Sequence, residues 1–83
     1  MIDVKDASLI AQDYFREVYK GIATDLLLEE VEFTSDDRYW LITLSFNTNK
    51  FGDLGGAGTR KYKQFEIDAK SGVIKSMKIR EIK

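Results

Sequence analysis

The sequence contains no cysteine and no histidine among its 83 residues. The absence of cysteine excludes disulfide bonds, thiolate metal sites and a cysteine nucleophile, and it fits a reducing compartment. The absence of histidine removes the commonest general base and metal ligand, and the side chain that titrates between about pH 5 and 8. Most familiar catalytic constellations are thereby excluded, so we expect a non-catalytic protein without a cofactor.

Long hydrophobic runs are also missing. No segment approaches the roughly 20 consecutive apolar residues of a membrane span, and the N-terminus lacks the basic and apolar regions of a secretory leader. As written, the chain is therefore predicted to be cytoplasmic and not membrane-bound, or to belong to the cell envelope if a leader has been removed. A chain of 83 residues has room for one hydrophobic core, which predicts a single domain over residues 1–83.

The N-terminal segment has the period of an amphipathic helix. Its apolar residues recur at steps of three and four between Asp3 and Tyr19. They are Val4, Ala7, Ile10, Ala11, Tyr14, Phe15 and Val18. Asp3 is suited to cap the first turn, and Gly21 is suited to the left-handed residue that ends a helix. These signals predict a helix that begins after Asp3 and ends before Gly21.

The rest of the chain has the period of two that is typical of strands. Strand signals cover Glu29 to Phe33, Tyr39 to Phe46, Arg60 to Asp68 and Val73 to Ile79. Residues 68–72 fit a tight hairpin, and residues 47–59 fit a longer, glycine-rich loop. The chain is therefore predicted to be α+β, with the N-terminal helix packed on one face of a three- to four-stranded antiparallel meander sheet.

Alternation along the strands assigns side chains to the two faces of this sheet. The helix is expected to cover Trp40, Ile42, Leu44, Phe46, Phe65, Ile67, Met77 and Ile79. The opposite face would then show Tyr39, Leu41, Tyr62 and Ile74, which form a candidate surface for an unknown protein partner or for self-association. Ordinary surface is the alternative interpretation, because much of any protein's exposed area is apolar.

Residues 62–74 resemble the hallmark of PepSY-type domains. In that hallmark a strand ends in an aliphatic-Asp-Ala sequence, here Ile67-Asp68-Ala69, and turns through a glycine, here Gly72, into the next strand. The order of a helix followed by strands is also similar to that of the family. The resemblance implies a small binding or inhibitory module, of the kind found in propeptides of some metallopeptidases and in cell-envelope proteins.

The loop glycines Gly52, Gly55, Gly56 and Gly58 invite comparison with phosphate-binding loops. Such a loop needs a Gly-Lys-Ser/Thr ending or a complete Gly-x-Gly-x-x-Gly pattern, and it leads into a helix. This segment has neither ending and is predicted to join two strands. It remains a candidate loop for contacts with a protein partner.

Basic and aromatic residues alternate at Arg60, Lys61, Tyr62 and Lys63, which suggests binding of single-stranded nucleic acid as a second hypothesis. Residues 60–83 carry eight basic and three acidic side chains, a charge of +5, whereas residues 1–59 carry five and eleven, a charge of −6. The sequence pI of 5.4 argues against a nucleic-acid binder. Lysines on an exposed strand also serve to prevent edge-to-edge aggregation.

Two further charge patterns leave alternatives open. Glu29 is in phase with the apolar side of its strand. Burial would raise its pKa and support a third hypothesis, a small enzyme. Alternatively, Glu29 lies at the end of the strand and its side chain reaches water.

The charged residues of the first and last strands are expected towards opposite sheet edges: acidic Glu30 and Glu32 at one edge, and basic Lys75, Lys78 and Arg80 at the other. This arrangement allows head-to-tail association or simple solvation. A non-catalytic interaction or regulatory module is the leading hypothesis.

Overall fold

A computed structural model describes residues 1–21, 23–48 and 60–80. The elements follow in the order α1 (Val4–Val18), β1 (Ala23–Phe33), β2 (Tyr39–Thr48), β3 (Arg60–Asp68) and β4 (Ile74–Ile79). Each neighbouring pair of strands is antiparallel, and the strand order in the sheet is β1-β2-β3-β4. The predicted α+β fold, a helix on a four-stranded meander sheet, is confirmed.

The ends of α1 lie where the capping residues predict them. The side chain of Asp3 accepts a hydrogen bond from the backbone N–H of Asp6 at 2.8 Å, which satisfies one of the free donors of the first turn. At the other end the N–H of Tyr19 donates to the carbonyl of Phe15 at 2.9 Å. Gly21 then takes a φ of 78°, a left-handed conformation that glycine adopts without steric cost.

The hydrophobic core lies between α1 and the two inner strands. The helix packs chiefly on β2, and Ala7 and Ala11 let its backbone approach the sheet closely. The Phe15 ring lies 4.7 Å from that of Phe46, measured between ring centroids. The buried core consists of Ala7, Ala11, Phe15, Ile42, Leu44, Phe46, Phe65 and Ile67. The predicted helix-facing side of the sheet is thus confirmed at its centre.

Three strand boundaries differ from the predicted ones, and one of them is the start of β4, which lies at Ile74 and not at Val73. β1 begins at Ala23, six residues before the predicted start at Glu29, and β2 continues to Thr48. The turn predicted at residues 35–38 and the hairpin at residues 68–72 are present, and Gly72 has a φ of 77°. The predicted glycine-rich loop, with Gly52, Gly55, Gly56 and Gly58, lies outside the described residues apart from its first two positions, which belong to β2.

The face assignment of β4 was wrong in part, because the pairing of β3 with β4 is irregular between Glu66 and Ile67. Ile74 pairs with Ile67 and packs against the core, so it does not lie on the face opposite the helix. Val73 lies in the hairpin before β4 and is exposed. Ile79 has the predicted orientation but is 74% exposed, since it lies beyond the area that α1 covers.

Candidate functional site

We call the side of the sheet opposite α1 the uncovered face. Thr43 and Ser45 lie on it, at the centre of β2, and yet both are almost fully buried. Long charged side chains from the flanking strands cover them. A small hydroxyl side chain at the centre of a sheet face provides a partner for such groups without adding bulk.

One cluster forms around Ser45. Its hydroxyl donates to the carboxylate of Glu29 at 2.6 Å and accepts from Nε of Arg60 at 2.8 Å. The guanidinium of Arg60 and the carboxylate of Glu29 are 4.0 Å apart, and the same guanidinium donates to the backbone carbonyl of Asp25. Ser45 thus bridges a cation from β3 and an anion from β1.

A second cluster forms around Thr43, one step further along the same face. Arg80, which follows β4, donates to the Thr43 hydroxyl at 2.9 Å and forms an ion pair with the carboxylate of Glu30 in β1. The Arg80 side chain therefore reaches over β3 and β2 to the far edge of the sheet. Within the described part of the chain, every buried side-chain polar atom has a hydrogen-bond partner.

The glutamate that suggested an enzyme is placed differently from the expectation. The pairing of β1 with β2 shifts between Leu28 and Glu30, so Glu29 leaves the phase of Val31 and Phe33 and turns to the uncovered face. Its side chain is 36% exposed. A buried Glu29 in a closed pocket, which the enzymatic hypothesis required, is not present.

The predicted interaction surface is divided. Tyr39 lies opposite Asp68, whereas Tyr62 lies opposite Ser45, six residues away along β3 or about 20 Å. Leu41 is next to Tyr39 on the same face, and the charged cluster around Thr43 separates this pair from Tyr62. With Ile74 on the other side of the sheet, the four candidates do not form one apolar patch.

The basic and aromatic residues of β3 are divided between the two faces as well. Arg60 lies on the uncovered face with Glu29 and Ser45, as does Tyr62. Lys63 lies on the helix side, where its ammonium is 5.7 Å from the centre of the Tyr19 ring, and Lys61 shares that side by alternation. A single strand of nucleic acid on one face would therefore not contact all four predicted residues.

The turns at one end of the sheet enclose a depression of about 410 Å³. It is lined by Asp36, Asp37, Arg38, Asp68 and Lys70. The carboxylate of Asp68 accepts from the N–H groups of Ser71 and Lys70, which lower its pKa, and the Thr34 hydroxyl lowers that of Asp36. These carboxylates stabilise their own turns, and the described residues contain no cluster of three or more metal-ligating side chains.

Among the described residues, three exposed apolar side chains lie on the edge strand β1. Leu27, Leu28 and Val31 are each exposed by a third or more of their surface. The pairing with β2 places Leu28 and Val31 on the helix side, opposite Leu44 and Ile42, and Leu27 on the uncovered face, opposite Ser45. Leu28 and Val31 are exposed because α1 packs chiefly on β2 and leaves the outer part of β1 uncovered, whereas Leu27 is exposed on the face that has no helix. The sequence signal for this edge is the run Leu26-Leu27-Leu28, which lies before the predicted start of the strand at Glu29.

No protein-family model matches the chain, and neither the curated proteins nor the solved structures contain a detectable match to it. In the described part of the chain, no helix has the length and hydrophobicity needed to cross a membrane.

Proposed function

We propose that the protein is a non-catalytic interaction module that binds an extended protein segment along the outer edge of β1. One observation carries the proposal: an 11-residue edge strand has three apolar side chains that its own fold leaves exposed. An open strand edge offers unpaired N–H and C=O groups, and a partner strand can pair with them. A binding role is also what the PepSY resemblance implies.

The chemistry of β1 specifies the partner segment. Leu28 and Val31 on the helix side would contact apolar side chains of an added strand, because directly opposite residues lie about 5 Å apart. On the uncovered face, Glu32 is exposed, and Glu30 stays 56% exposed although its carboxylate pairs with Arg80. Both favour basic side chains at the alternate positions of a partner. The preferred partner is therefore an extended segment in which apolar and basic residues alternate.

The regular part of β1 defines where pairing is strongest. Glu30 to Phe33 pair with β2 without interruption, whereas the pairing shifts before Leu27 and after Leu28. Such shifts twist an edge and limit indiscriminate pairing. Binding is thus expected to centre on Glu30 to Phe33, with Leu28 as the apolar contact at one end.

The proposal is tested by selecting binders from a displayed library of random peptides with the full chain as bait. Wild-type protein should enrich peptides that alternate apolar and basic residues. Backbone amide shifts on adding an enriched peptide should change most in β1, as measured by NMR. Leu28→Glu should abolish binding, because it places a charged side chain in the apolar contact.

Leu9→Glu is the matched control, because Leu9 on α1 is 47% exposed and Leu28 is 45% exposed. The control should bind like the wild-type chain. Failure to enrich any peptide, or enriched peptides that bind Leu28→Glu undiminished and shift amides outside β1, would overturn the proposal.

A further inference from the structure

We infer that the strand that pairs with β1 is β4 of a second copy of this chain. The inference rests on the proposed function, since it names the partner for the same edge. The edges β1 and β4 lie at opposite ends of the sheet, so one copy's β4 can meet the next copy's β1. In β4, the residues Met77-Lys78-Ile79 carry the alternation of apolar and basic residues that β1 favours, and Ile74 adds an apolar residue on the helix side.

The apolar side chains of the two edges lie at the same levels of the sheet. We define a row as the set of residues that pair side by side across all four strands. On the helix side the rows are Leu28, Leu44, Lys63 and Ile79, then Val31, Ile42, Phe65 and Met77, then Phe33, Trp40, Ile67 and Ile74. Every row on this side therefore begins and ends with an apolar residue.

The uncovered face adds a charge match between the apolar rows. Glu30, Thr43, Gln64 and Lys78 form one row, so the β1 edge is acidic where the β4 edge is basic. A second copy in the same register would place its Lys78 beside Glu30, and its Ile79 beside Leu28. Opposite charges directly across a strand pair stabilise it, whereas like charges destabilise it.

The number of strands permits this contact without turning either copy over. With four antiparallel strands, β4 runs antiparallel to β1, so a second copy in the same orientation continues the antiparallel alternation. Both helices then lie on the same side of the joined sheet, and the exposed Ile79 gains an apolar neighbour. Pairing of β1 with β1 would instead bring Glu30 and Glu32 of the two copies together, and so the head-to-tail contact is favoured.

A head-to-tail contact leaves one free edge at each end, so it extends into chains or closes into a ring. This property gives a decisive test. Leu28→Lys blocks the β1 edge, and Ile79→Lys blocks the β4 edge. Both residues are already exposed, so both variants should fold, which circular dichroism and thermal unfolding would verify.

The measurement is sedimentation velocity of the full chain over a range of concentrations. The wild-type sedimentation coefficient should rise with concentration, and each variant alone should remain monomeric. An equimolar mixture of the two variants should form a 1:1 dimer and nothing larger, because one wild-type edge remains on each. Leu9→Lys should associate like the wild type.

Two results would overturn the inference. The first is a wild-type chain that stays monomeric at the highest attainable concentration, and the second is a variant mixture that yields no dimer while the wild type associates. Either result leaves the proposed function intact if the enriched peptides still bind β1 of the wild-type chain and bind the Leu28→Glu variant more weakly. Loss of peptide binding along β1 as well would remove both.

Discussion

Arg80 and Glu30 are fifty residues apart in the sequence and stand at opposite edges of the sheet, yet their side chains form an ion pair across the uncovered face. The Thr43 hydroxyl between them accepts from the same guanidinium. The Arg80 side chain crosses β3 and β2 and thereby connects the C-terminal end of β4 to β1. This contact explains how a threonine at the centre of an otherwise open face becomes buried.

Arg80→Ala should destabilise the fold more than Glu30→Ala. The first change removes the ion pair and also the hydrogen bond to buried Thr43, a loss of about 1 to 2 kcal/mol. The second removes a partner that is largely exposed, at a cost of about 0 to 1 kcal/mol. Urea denaturation of both variants, at concentrations that keep the chain monomeric, measures the difference. Equal losses would show that Thr43 gains nothing from Arg80.

Gly72→Ala should cost more stability than Gly21→Ala. Both glycines have left-handed φ angles, 77° and 78°, so alanine is strained at each by roughly 1 to 2 kcal/mol. A Cβ at Gly72 would in addition lie 3.2 Å from Cδ1 of Ile10, whereas a Cβ at Gly21 meets nothing within 4 Å. Thermal and urea unfolding of the two variants separates backbone strain from crowding. A larger loss at Gly21 would contradict the packing of Ile10 on the hairpin.

Ile42→Ala and Ile79→Ala should differ sharply although both residues point to the helix side of the sheet. Ile42 is fully buried, so its truncation should cost about 2 to 5 kcal/mol. Ile79 is exposed in the single chain, and its truncation should stay within about 0.5 kcal/mol. Denaturant unfolding at low concentration provides both values. A large loss at Ile79 in the monomer would mean that it packs on the core after all.

The stability contributed by the Asp68 charge should disappear in acid. Hydrogen bonds from the N–H groups of Ser71 and Lys70 lower the pKa of Asp68 below its ordinary value of 3.8. Because the folded-state pKa is the lower one, the contribution is complete above the unfolded-state pKa and is lost as the pH falls through the folded-state value. Asp68→Asn keeps an acceptor oxygen but has no charge at any pH.

The free energy of unfolding of the wild type should therefore exceed that of Asp68→Asn by a constant amount at neutral pH. The difference should shrink below about pH 4. Urea denaturation of both proteins between neutral pH and pH 3, read by tryptophan fluorescence, provides the comparison. A difference that grows in acid would mean that the turn does not hold the carboxylate in its charged form.

Local patterns predicted the elements because each carries its own signal. The helix has its period and the Asp3 cap, and β3 was predicted with both of its ends as observed. Alternation then identified the core residues on β2 and β3. Each of these inner strands pairs with a neighbour on both edges, and a slip by one residue would expose its apolar side chains. The candidate binding edge was marked only by the run Leu26-Leu27-Leu28, which has no period of two.

The irregularities of pairing account for the errors in face assignment at Glu29 and Ile74. A shift after Leu28 turned Glu29 to the uncovered face, and a shift at Ile67 brought Ile74 to the core. A period of two carries through a strand only while no extra residue interrupts it, and an interruption depends on how the neighbouring strand pairs. The sequence of one strand does not contain that information.

The sequence by itself determined the helix, the strands, their order and the absence of cysteine and histidine chemistry, since these depend on local propensity and composition. Only the tertiary structure decided which surfaces remain open, because that depends on where α1 packs and how the strands are registered. The helix covers β2 and leaves apolar side chains of β1 exposed. The strand register places these side chains in the same rows of the sheet as the apolar side chains of β4, at the opposite edge. The candidate binding surface is therefore the two edges of the sheet, and not the face that carries Tyr39 and Tyr62.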